Sequence, residues 1–87
     1  MKIEIRWDKL KSKRLKRTRA ASFEDVLSGK LLATKNNPAR PGQKIMLIEY
    51  KDYVWVVPYV KSEGDVVFLK TLFPSRKYTK LHKEGKL

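Results

Sequence analysis

The 87 residues carry 21 lysines and arginines against nine aspartates and glutamates, a formal charge of +12. A chain this short makes one domain, 1–87, with a modest core. With no cysteine it has neither a disulfide framework nor a thiolate zinc site, and no stretch approaches the ~20 apolar residues of a membrane helix.

Residues 2–7 alternate charged and apolar types, with Ile3, Ile5 and Trp7 on one side, which predicts a half-buried strand rather than a signal peptide. The missing cysteines suit a reducing interior, so a cytoplasmic protein is expected. Asp8 is a good N-cap for a helix over 9–18, because its carboxylate can accept from the free amides of the first turn. Leu10 and Leu15 are that helix's only large apolar residues, and its like charges repel. Packing or a bound polyanion must therefore hold it.

Ala20-Ala21 reads as a link. Ser22-Phe23-Glu24-Asp25 has a capping-box pattern and opens a short helix over 23–28, with Phe23, Val26 and Leu27 as its apolar face and Gly29 as a left-handed stop. A short strand follows over 31–34, then a Pro- and Gly-rich loop over 36–42. Strands over 43–50 and 53–60 flank a tight Lys51-Asp52 turn. The second is apolar almost throughout, so both of its faces should be covered, and Pro58 suggests an edge or bulge. A strand over 66–73 ends at Pro74, and Ser75 caps a last helix over 76–83 with Tyr78 and Leu81 inward. Trp7 and Trp55 are expected in the core. The fold class is α+β: an antiparallel twisted sheet of four to five strands, two helices after the first strand and one at the C-terminus.

Charge is concentrated at the two ends. Lys9, Lys11, Lys13, Arg14, Lys16, Arg17 and Arg19 crowd the first helix, and Arg76, Lys77, Lys80, Lys83 and Lys86 the last. Such density of one sign points to a polyanion, with nucleic acid the commonest. The candidate phosphate-binding residues are Lys9, Lys13, Arg14, Lys16, Arg17, Arg19, Lys77 and Lys80. No phosphate loop, paired-histidine site or Ser-His-Asp set is present, since His82 is the only histidine. A two-metal nuclease would need Asp8, Glu24, Asp25 and Glu49 to converge, yet two of these suit helix caps. No metal or cofactor is expected.

Without a metal, RNA can be cleaved through its own 2′-hydroxyl, given a group to take that proton, a group to protonate the leaving oxygen, and cations to hold the phosphorane charge. Residues 69–79 run off a strand end into a helix start, where Arg76 can bind phosphate through its fork. Arg76, Tyr78 and His82 are the catalytic candidates. Each has a plainer alternative: a surface ion pair, a core tyrosine and a solvated histidine.

Arg6-Trp7-Asp8 before a Lys-rich helix, Ser22-Phe23-Glu24-Asp25-Val26, and Pro74-Ser75-Arg76-Lys77-Tyr78-Thr79 together resemble the opening, second-helix and closing elements of BrnT-type toxins. That family is similar in fold to the RelE ribonucleases. The resemblance implies a type II toxin that cleaves RNA, either free mRNA or mRNA on the ribosome, blocks translation, and is neutralised by a cognate antitoxin. By analogy Arg76 falls at an active-site arginine. The chain departs from the family in having Arg19-Ala20 where His-Gly is common, and His82 where the closing helix usually has a glutamate. Charge alone supports a non-catalytic RNA- or DNA-binding module equally well, and a third reading is a small protein-interaction domain whose basic helix docks an acidic partner.

Overall fold

In the computed structural model, residues 3–87 are described. Lys2, included in the first predicted strand, lies outside them. The elements run β1 (Glu4–Arg6), α1 (Lys9–Arg19), α2 (Phe23–Leu27), β2 (Lys30–Asn36), β3 (Lys44–Tyr50), β4 (Tyr53–Lys61), β5 (Val66–Leu69), β6 (Phe73–Pro74) and α3 (Arg76–Lys83).

The caps form as the sequence predicts. Asp8 accepts from the amides of Leu10 and Lys11, and Ser22 and Asp25 close a reciprocal capping box. Ser75 accepts from the Tyr78 amide. The left-handed stop falls elsewhere: Ala20, at φ 63°, ends α1, whereas Gly29 is not among the residues with positive φ. Gly29 is needed for space, because a β-carbon there would overlap the carbonyl oxygen of Glu49. It lets α2 run directly into β2 against the end of β3. Lys51 and Asp52 both adopt positive φ, the two-residue hairpin geometry whose twist matches the flanking strands.

The sheet runs β1-β5-β4-β3-β2, with β6 also paired to β4. It has six strands and is mixed, not wholly antiparallel, because β1 lies parallel to β5. A hairpin forces antiparallel pairing, but β1 reaches the sheet through two helices and is free of that constraint. It is an edge strand with little cover, and Ile3 is 65% and Ile5 38% exposed. The expected strand over 66–73 is also corrected. It breaks after Leu69 and resumes as the two-residue β6, leaving segment 70–72 between them.

Pro58 explains where that break can fall. It sits in the central strand β4, not at an edge, opposite Ile45 of β3. Its carbonyl accepts from the Lys70 amide at 2.8 Å. A residue's amide and carbonyl leave a strand on the same side, so the donor proline lacks is missed only on the side where β5 has ended.

Both faces of β4 are covered. Leu15, Phe23 and Val26 of the first two helices pack with Met46, Ile48, Trp55, Val57 and Leu69 on one face. Burying a side chain such as Phe23 contributes about 1.5–3 kcal/mol. Trp7 packs against it with ring centroids 6.1 Å apart. Leu10, expected in the apolar stripe, is instead 73% exposed. On the opposite face Ile45, Leu47, Val54 and Val56 pack with Tyr78 of α3. Among the described residues no helix is long and apolar enough to cross a membrane.

Candidate functional site

Where β5 gives way to β6, the face of the sheet beneath Tyr78 is left open as a cleft of about 480 Å³. Its apolar walls come from Ile45 of β3, Val56 and Pro58 of β4, and Phe73 of β6. Three cations converge on it from remote parts of the chain: Lys11 of α1, Arg40 of the loop over 37–43, and Lys70 just past β5. No carboxylate lines it, and among the described residues no salt bridge engages these three cations.

Local hydrogen bonds set this geometry. The loop is closed by the Asn37 amide donating to the Gln43 carbonyl at 2.9 Å and the Arg40 amide to the Asn37 carbonyl at 3.3 Å. Segment 70–72 is held by the Lys70 amide on Pro58 and by Arg19 Nη1, which donates to the Leu72 carbonyl at 2.8 Å. The start of α3 is fixed to the sheet through Thr79. Its hydroxyl oxygen accepts from the buried Val54 amide at 2.8 Å and donates to the Ser75 carbonyl at 2.6 Å. That satisfies a central-strand amide at the point where β6 has turned away into the helix.

Of the sequence candidates, Tyr78 lines the cleft. The ammonium groups of Lys77 and Lys35 lie 5.6 and 5.7 Å from its ring centroid, within cation–π range. Arg76 does not line the cleft. It borders a separate shallow depression with Tyr53, Lys80 and Lys83. His82 is half-buried and its Nε2 lies 3.2 Å from Glu49 Oε2, a link from α3 to the end of β3. The three catalytic candidates of the sequence are therefore distributed over three surroundings.

Lys9, Lys13, Arg14 and Arg17 are exposed along α1, and Lys77 and Lys80 along α3. Lys16 bridges to Asp25 Oδ2 at 2.7 Å. That hydrogen bond, followed by the one from the Ser22 amide, holds the Asp25 carboxyl down at about 2, and the same bond raises Lys16. Glu24 is lowered chiefly by the hydroxyl of Ser12, which donates to it. The four carboxylates weighed as metal ligands each have another partner: Asp8 and Asp25 cap helices, Glu24 meets Ser12, and Glu49 meets His82.

Sequence reasoning missed Arg40 and Gln43 at the cleft, and gave Lys11 and Lys70 no role there. The available signals were a cation and an amide inside a loop stiffened by Pro38 and Pro41, and a lysine where a strand runs out.

The mixed sheet with two helices on one face and a closing helix on the other is an α+β fold that a solved structure shares. One solved structure with this likeness is that of the Brucella abortus ribonuclease toxin BrnT; the match covers 85% of this chain and 97% of that one with a TM-score of 0.57. At 15% identity the likeness is one of fold, and at that level the resemblance to BrnT-type toxins holds. No family model matches the sequence, and no curated protein matches it.

Proposed function

We propose that this protein is an endoribonuclease toxin of a type II toxin–antitoxin system, acting without a metal on mRNA to block translation, with its active site in the cleft beneath Tyr78. The observation that carries the reading is the convergence of Lys11, Arg40 and Lys70 on a carboxylate-free cleft that also holds Tyr78, in a fold shared with a ribonuclease toxin. In the proposed reaction the substrate 2′-oxygen bonds to the adjacent phosphorus as its proton leaves to a base. The bond from phosphorus to the 5′-oxygen breaks, and Tyr78 protonates that oxygen. The three cations hold the charge that builds on the phosphorane, where preorganised donors act most strongly. Arg76 with Lys80, and the exposed cations of α1, bind neighbouring phosphates of the strand. His82 positions α3 through Glu49. An acidic segment of a cognate antitoxin would silence the protein by covering the cationic surface.

Purified protein should cleave single-stranded RNA in the presence of a chelator. Tyr78→Phe and Lys70→Ala should each lower the rate about 10²-fold or more with the fold retained, while Arg76→Ala should weaken binding more than turnover. A fully active Tyr78→Phe beside an inactive, folded Arg76→Ala would move the active site out of the cleft and onto Arg76. Binding with no cleavage of any RNA, and no growth arrest on expression in a bacterium, would establish the non-catalytic module instead.

A further inference from the structure

We propose that the cleft is a reading pocket for one unstacked adenine of a single-stranded nucleic acid, and that the side-chain amide of Gln43 selects it. This rests on the reading of the cleft as the RNA site and names what is recognised there besides phosphate. Phosphate alone needs cations in water and no apolar floor. Here the cations stand over walls made by Ile45, Val56, Pro58 and Phe73. About 480 Å³ lies in the range of small-ligand pockets and is room for a nucleoside. In a duplex the base faces are stacked and closed, so only an unpaired base can enter such a cleft.

Gln43 is the polar group suited to read that base. It lines the cleft and is half-buried. Its backbone is fixed on both sides, with its amide donating to the Arg40 carbonyl at 3.2 Å and its carbonyl accepting from Asn37. Its side-chain amide has no hydrogen-bond partner among the described residues. The other side-chain amide at the cleft, that of Asn37, is tied to its own loop, its Oδ1 accepting from the Ala39 amide at 3.0 Å. A free carboxamide offers a donor and an acceptor side by side, and adenine presents the complementary pair, N6–H and N7, on the edge where guanine has two acceptors, cytosine only a donor and thymine only an acceptor.

The test measures binding of the full chain to short 2′-deoxy strands, which lack the attacking hydroxyl and so report recognition apart from cleavage. Oligo-dA, oligo-dC and an abasic strand of equal length carry the same phosphates. The abasic strand should bind about tenfold more weakly than oligo-dA, and oligo-dC should fall between them. Gln43→Ala should bring oligo-dA down to the oligo-dC value. Gln43→Glu, which puts a carboxylate into the cleft, should weaken all three. Equal affinity for the abasic strand and oligo-dA overturns the pocket, and so does a preference for adenine that survives Gln43→Ala. Neither result bears on whether RNA is cut. Failure to cut RNA rejects the catalytic reading and leaves this binding comparison intact.

Discussion

Thr79 shows how much one hydroxyl can carry. It serves as acceptor for the Val54 amide and as donor to the Ser75 carbonyl. Thr79→Val keeps the shape but orphans a buried amide in the central strand, at a cost of about 1–3 kcal/mol. A thermal melt should show a fall of about 4–8 °C for each kcal/mol lost in a domain this size. Because the same hydroxyl fixes the start of α3, the variant should also lose activity at temperatures where it remains folded. Thr79→Ser, which keeps the hydroxyl, should retain most of both. The sequence displayed Thr79 as one polar position in a helix, with nothing to show that its partner lay 25 residues away.

At the scale of elements, local chemistry was legible and partnership was not. Asp8, Ser22 and Ser75 could be recognised as caps because a cap is satisfied within three residues of itself. The partner of β1 could not be read, since its pairing with Val66, Val67 and Phe68 depends on a crossover of two helices. Gly29 misled for the same reason: its neighbour in sequence is a helix end, but its neighbour in space is Glu49. Gly29→Ala should therefore destabilise the fold by about 1–3 kcal/mol through overpacking, measured by denaturant midpoint. A residue chosen only to end the helix would tolerate the change far better. The Lys16–Asp25 bridge joins α1 to α2 and gives a pH signature. Asp25 is depressed in the fold to about 2, so its contribution is complete above its ordinary value near ~4 and is lost as pH falls through about 2. Asp25→Asn should melt lower than the parent at pH 7, and the two melting curves should converge as the pH approaches 2.

For the whole molecule, a net charge of +12 predicts nucleic-acid affinity that falls steeply with salt. Each phosphate contact removed should flatten the slope of log affinity against log salt by about 0.7 for a single strand. Lys13→Ala and Lys70→Ala should each do so. Arg19→Ala should chiefly loosen segment 70–72, because one of its donors is held by Leu72, and its effect should appear in turnover and thermal stability. Titrations at several salt concentrations separate the two behaviours. The two basic flanks were readable from the order of the residues, and residues 69–79 could be singled out as a strand end running into a helix start. The meeting of Lys11, Arg40 and Lys70 was not, because it depends on the gap between β5 and β6 and on a loop closed by backbone bonds.

That cleft is assembled from residues 11, 40, 43, 70 and 78, and its floor needs β3, β4 and β6 already side by side. A nascent chain that has emerged only as far as the β3–β4 hairpin has its basic helix but not this cleft. Chain connectivity thus delays the cleft until residues 70–78 have been made and have joined the sheet, so the basic helix exists in the growing chain well before the pocket does.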